Sequence, residues 1–228
     1  MEYKIIGNTV PAVEMKLKKD EEVYTQSGGM CYQSDGLEMK SNAKGGIMSS
    51  IGRMFAGESL FMANYKALKD DVTIAFSSTV PGSIMPMDLN KFPQGLILQK
   101  GAFLCAENSV NIKAVFTKKI GAGFFGGEGF VLQQATGDGH LFMEIDGDLI
   151  EKDLEPGEIL KVDTGNVVAF EPSVTYDVEM VKGLGNIFLG GEGLFLTKLV
   201  GPGKVVLQTE NIKDFATRII PYIPTKNN

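Results

Sequence analysis

Three glutamates stand inside near-matching glycine-rich blocks, and carboxylates repeated in this way can either gather a hard cation or accept backbone N–H groups. Around Glu128 the chain reads Phe124-Phe125-Gly126-Gly127-Glu128-Gly129-Phe130-Val131-Leu132, and around Glu192 it reads Phe188-Leu189-Gly190-Gly191-Glu192-Gly193-Leu194-Phe195-Leu196. The two blocks agree in residue type at every position. A looser copy, Met54-Phe55-Ala56-Gly57-Glu58-Ser59-Leu60-Phe61-Met62, puts Glu58, Glu128 and Glu192 at successive offsets of 70 and 64 residues. Brought near a pseudo-threefold axis, the three carboxylates would bind a divalent cation or raise one another's pKa by like-charge repulsion. The simpler reading is structural: each glutamate accepts backbone N–H groups in a bulge, where glycine supplies unusual φ angles and close approach. Glu58, Glu128 and Glu192 are therefore candidate site residues with an expected structural role, and no catalytic, cofactor or metal site is assigned from the sequence.

Other reactive groups are sparse. His140 is the single histidine; its place beside Gly137-Asp138-Gly139 predicts an exposed turn residue. Cys31 and Cys105 lie far apart in sequence and form neither a zinc pattern nor a disulfide framework, and Cys105, after Ala102-Phe103-Leu104, reads as a small core residue. Gly121-Ala122-Gly123-Phe124-Phe125-Gly126-Gly127 lacks the Gly-Lys-Ser/Thr of a phosphate-cradling loop. Met54, Phe55, Phe124, Phe125, Phe188 and Leu189 occupy equivalent places beside those glycines and are expected either to fill the core or to form an oligomer- or membrane-facing patch.

The elements that must carry these groups are strands. Further sequence pairs share the 64-residue offset: Glu107-Asn108-Ser109-Val110 returns as Glu171-Pro172-Ser173-Val174, and Gly137-Asp138-Gly139 returns as Gly201-Pro202-Gly203. One offset across separate registers is the mark of a duplicated unit. Strand-sized apolar runs on either side of Thr136–His140 predict one hairpin, and runs on either side of Asp163-Thr164-Gly165 predict a second. Helical spacing is confined to Ile47–Phe55 and to a turn or two at Asn211–Ala216.

The expected fold is all-β: three tandem repeats forming a shortened double-stranded β-helix or sandwich-like assembly around a pseudo-threefold axis, with one or two short helices. Repeat 1 is expected over 15–90 with an insertion between Phe61 and Leu89, repeat 2 over 95–150, repeat 3 over 155–210 and a tail over 211–228, all in one domain of 228 residues. Glycine, at 28 residues, suits many turns. The net charge of -6 argues against a nucleic-acid partner, which needs clustered Lys and Arg. The acid near the start and the lack of a long apolar run lead to the expectation of a cytoplasmic protein.

In order and spacing, Leu17 through Ser27-Gly28-Gly29-Met30, Arg53 through Phe61, the blocks at Glu128 and Glu192, and Phe215-Ala216-Thr217-Arg218-Ile219-Ile220-Pro221-Tyr222-Ile223 resemble the altered-inheritance-of-mitochondria family. The resemblance spans nearly the whole chain. That family was a domain of unknown function, grouped with proteins similar in fold to the tryptophan RNA-binding attenuation protein. The resemblance implies the triplicated β-helix and homo-oligomerisation, and it brings no settled catalytic residues. The expected function is that of a non-enzymatic oligomeric binding or scaffolding protein, a trimer, with a further protein or membrane partner open. The alternatives are a small-ligand protein or enzyme with an unrecognised site, and RNA binding by fold analogy alone.

Overall fold

The computed structural model describes residues 1–26, 28–42, 62–115, 132–180 and 195–224. Short apolar runs broken by turns form nineteen strands among the described residues; outer strands such as β5 alternate apolar and polar residues, whereas β10, β13 and β16 are buried on both faces. The first stretch holds β1 (Glu2–Ile6), β2 (Ala12–Leu17), β3 (Glu22–Gln26), β4 (Met30–Gln33), β5 (Leu37–Asn42), β6 (Met62–Ala67) and β7 (Val72–Ser77). The second holds β8 (Gly82–Asp88), β9 (Leu96–Gln99), β10 (Phe103–Glu107), β11 (Val110–Val115), β12 (Leu132–Gly137) and β13 (His140–Asp146). The third holds β14 (Leu149–Leu154), β15 (Ile159–Asp163), β16 (Val167–Phe170), β17 (Thr175–Met180), β18 (Phe195–Val200) and β19 (Gly203–Gln208), followed by helix α1 (Ile212–Ile219).

The strands form four sheets in the orders β1-β2-β7-β4, β5-β6-β3-β10-β13-β8, β11-β12-β9-β16-β19-β14 and β15-β18-β17, with antiparallel pairing throughout. The fold is thus all-β with one short α-helix among the described residues.

Pairing registers recur along the chain. Gln26 faces Met62, Gln99 faces Leu132 and Asp163 faces Leu196. The last two pairs differ by 64 residues on both strands, the offset seen in the sequence. A register shift lies between Met30 and Tyr32 in the pairing of β4 with β7, between Phe103 and Cys105 in that of β10 with β13, and between Val167 and Ala169 in that of β16 with β19. The turn from β6 to β7 holds Leu68–Asp71, where the turn from β12 to β13 holds only Asp138 and Gly139.

Both expected hairpins are corrected. β12 and β13 follow each other through a tight turn but lie in different sheets, as do β15 and β16. Turn chemistry reverses the chain without choosing a partner; each strand pairs where its apolar face is covered. At the second corner the Asp163 carboxylate accepts the Gly165 N–H at 2.9 Å, closing a 3-10 turn over Thr164–Asn166 that carries the chain between sheets. Among the described residues, consecutive strands that do pair are β1 with β2, β5 with β6, β11 with β12 and β17 with β18.

Three apolar clusters fill the layers. The first gathers Val13, Met15, Ile74, Phe76, Leu104 and Phe142; the second Leu96, Leu98, Ala135, Leu141, Met143 and Val168; the third Leu132, Val167, Phe170, Leu199 and Val205. β10 puts Leu104 in the first cluster and Phe103 in the second, and β16 puts Val168 in the second and Val167 in the third, so burial ties neighbouring clusters to each other. α1 starts at Asn211, whose side chain accepts the Asp214 N–H at 2.9 Å and supplies an acceptor for an otherwise orphaned helix donor. No helix among the described residues is long and apolar enough to cross a membrane.

Candidate functional site

Glu58, Glu128 and Glu192 lie outside the described residues, as do Met54, Phe55, Phe124, Phe125, Phe188 and Leu189 and the expected helix near Ile47–Phe55. The segments that contain the three glutamates each begin and end beside paired strands: Asn42 faces Met62, Val115 faces Leu132 and Met180 faces Phe195.

The other repeated glutamates are described, and their role is structural. Glu107 Oε2 accepts the His140 N–H at 2.6 Å, and Glu171 Oε2 accepts the Lys204 N–H at 2.7 Å, 64 residues on. In the first stretch Ser34 Oγ accepts the Thr73 N–H at 2.9 Å. One side-chain acceptor therefore pins the start of β7, β13 and β19 in turn. Gly139, at φ +100°, must be glycine for two reasons: its conformation is left-handed, and a Cβ would collide with the Glu107 carboxylate. His140 is half-buried at the head of β13 rather than exposed, with its ring 5.3 Å from that of Tyr3 and its Nδ1 3.4 Å from Glu107. Cys105 is fully buried, and burial pushes its thiol pKa well up; Cys31 is exposed on β4. Among the described residues no three His, Cys, Asp or Glu side chains converge as metal ligands.

The structure draws together a cleft that the sequence did not single out. About 290 Å³ in volume, it is bordered by Thr79 and Val80 after β7, Lys100 and Gly101 before β10, Glu144 and Asp146 of β13, Gln208 at the end of β19, and Asn211 and Ile212 at the start of α1. Glu144 is 8% exposed, and its Oε1 accepts from Ser78 Oγ at 2.8 Å, Thr79 N at 2.5 Å, Thr79 Oγ1 at 2.8 Å and Val80 N at 3.3 Å. That carboxylate anchors the 78–80 turn. Burial raises the Asp146 pKa, the Ile212 N–H that it accepts at 2.9 Å works against the rise, and the nearby Glu144 charge adds to it. Gln208 accepts the Asp146 N–H and donates to Gly165 O, both at 3.0 Å. These groups hold β13, β19, the 3-10 corner and α1 together. A signal was present in Leu141-Phe142-Met143-Glu144-Ile145, where one carboxylate interrupts an apolar run; a buried acid must find donors.

Of the sheet edges among the described residues, β4 and β15 are open where strands with equivalent registers are covered. β4 is exposed along its length, whereas β10 and β16, which make the same register shift with their partners, are buried. β15 is likewise largely open, although β9 is mostly buried. Met30, Tyr32 and Ile159 present apolar surface there, at 38%, 40% and 55% exposure.

Corner-pinning acceptors and antiparallel sheets joined by sheet-to-sheet corners define a class: an all-β protein of several antiparallel sheets. The chain belongs to the family described as Mitochondrial biogenesis AIM24, whose model matches residues 3–210. It is 32% identical over 227 residues to the uncharacterized protein M6_Spy0233 of Streptococcus pyogenes serotype M6, a match covering 96% of this chain and 89% of that protein. It is also similar to the crystal structure of protein SPYM3_0169 from Streptococcus pyogenes, at a TM-score of 0.80 and 26% identity, over 97% of this chain and 99% of that one.

Proposed function

We propose that this protein is a non-enzymatic, cytoplasmic, homo-oligomeric binding or scaffolding protein, trimeric in its closed form, built from three tandem units forming a shortened double-stranded β-helix. On this reading β8 and β14 are the counterparts of β2 in the second and third units, because β8 pairs with β13 and β14 with β19 as β2 pairs with β7. The observation that carries the oligomer is the open pair of terminal edges, β4 and β15, bearing apolar side chains where their internal counterparts are covered. Unpaired sheet edges are templates for another chain. α1 adds a second apolar surface: Phe215 and Ile219 on the helix, and Tyr222 just after it, are exposed.

Light scattering on the full chain at micromolar concentration tests the reading. A mass of three chains is the expected result; a mass of one, against 24.6 kDa for the chain, overturns the oligomer. The cleft at Glu144 and Asp146 favours a second reading, a small-ligand site, because its volume approaches the lower end of ligand pockets, about 300 Å³. Native mass spectrometry of the freshly purified protein would retain a stoichiometric adduct on that reading, and Asp146→Ala would lose it.

A further inference from the structure

We infer that β4 of one copy pairs antiparallel with β15 of the next, in the register that sets Tyr32 opposite Val162 and Gln33 opposite Lys161. This inference names the contact behind the oligomer proposed above and rests on that reading. The register comes from two seams already inside the chain. β3 joins β10 with Thr25 opposite Cys105 and Tyr24 opposite Ala106; β9 joins β16 with Leu98 opposite Ala169 and Ile97 opposite Phe170.

Cys105 and Ala169 are equivalent, since each directly follows the register shift in its own sheet, and Tyr32 holds that same place in β4. On the donor side, Thr25 faces Ala63, Leu98 faces Gln133 and Val162 faces Thr197, so Val162 is the third member of the series Thr25, Leu98. Carrying the seam forward once more pairs Val162 with Tyr32, with no adjustable shift.

Within one chain β4 and β15 are both sheet edges and are not paired with each other. A second copy supplies the missing strand to both. Burial marks the same vacancy: Phe103 and Cys105 are 3% and 0% exposed, while Met30 and Tyr32 at the equivalent places are 38% and 40% exposed. Because the two edges differ, the contact is heterologous and propagates into a ring or a filament.

Cysteine pairs read the register directly, because residues facing each other across antiparallel strands have Cα atoms about 4.5–5.5 Å apart, within disulfide range. In a Cys31→Ser background, one chain carries Tyr32→Cys and another carries Val162→Cys. After mixing and mild oxidation, a disulfide-linked species of twice the chain mass is expected on a non-reducing gel. Neither variant alone should give it, and a chain carrying both should give a ladder. Gln33→Cys with Lys161→Cys repeats the test should loss of the Tyr32 ring weaken assembly, and circular dichroism verifies that each variant folds.

Self-linking of Tyr32→Cys would show a two-fold contact and overturn the proposal. So would a disulfide formed within a single chain of the double variant. An oligomer by light scattering with neither cysteine pair linking would overturn this contact and leave the oligomer standing. A monomer by light scattering would overturn both.

Discussion

β10 and β4 occupy the same place in their sheets, yet one is buried and the other is open. Both make an antiparallel pair with the strand that follows a corner, and both carry the register shift after their first residue. Phe103-Leu104-Cys105-Ala106 is covered on its far edge by β3, whereas Met30-Cys31-Tyr32-Gln33 has no neighbouring strand there among the described residues. The difference teaches that burial in this fold belongs to the seam rather than to residue type, since three of the four residues on β4 are also largely apolar. It also separates residues that stabilise a layer from residues that join layers.

The largest test of this contrast is to empty both strands at the equivalent position. Phe103→Ala is expected to cost about 3–5 kcal/mol in urea unfolding, as removal of a buried phenylalanine does. Met30→Ala should stay within about 0.5 kcal/mol in the dissociated chain. Equal costs would mean that β4 is covered by something within its own chain.

Next comes the acceptor that pins each corner. Glu107→Ala leaves the His140 N–H without its partner and should cost about 1–3 kcal/mol, while Glu107→Gln, which keeps an acceptor oxygen, should cost less. Glu171→Ala should behave alike through Lys204 N. Ser34→Ala, at the open end and exposed to water, is expected below the other two. Thermal melting of the three alanine variants ranks them, and a Ser34 effect as large as that of Glu107 would break the distinction between interior and terminal layers.

Asn211→Ala asks whether the α1 side belongs to the rigid interior. Loss of this cap should cost about 1 kcal/mol and reduce helical circular dichroism at the C-terminal end. The smallest effect is expected at Asp146. Its folded pKa is raised, so the folded chain keeps that proton to higher pH than the unfolded chain does. The associated stability is present at low pH and falls as pH rises from the unfolded value of about 3.9 through the folded one. Asp146→Asn, which retains an acceptor for Ile212 N, should flatten this part of the melting-temperature profile and leave the chain slightly more stable at pH 7. An unchanged slope would refute the assignment.

The all-β class was legible in the sequence from its strand-sized runs and frequent turns, and the 64-residue offset read there returns in the pairing of Gln99 with Leu132 and of Asp163 with Leu196. The pairs Glu107/Glu171 and Gly139/Gly203 announced a common corner before any strand was placed, and Asn211 announced α1. Strand partnership was not legible. A turn such as Thr136–His140 encodes a reversal of direction, and the choice between hairpin and sheet-to-sheet corner depends on distant strands such as β8 and β10 that bury Phe142 and Met143. Glu144 was overlooked for the same reason: its donors, Ser78 to Val80, lie more than sixty residues away. Open edges are harder still, since Met30-Cys31-Tyr32 reads like any covered strand until its missing neighbour is seen.

The facing pairs Asn42 with Met62, Val115 with Leu132 and Met180 with Phe195 have a consequence for what the chain can tolerate. Such pairs hold the two ends of a connection within about 5.5 Å of each other, whatever lies between. Loop-closure entropy grows only logarithmically, by about 0.6 kcal/mol for each doubling of length. The sheets therefore fix, at each of these three places, where the chain departs and where it returns, so a change of length between the paired ends carries only a small closure cost in those strands.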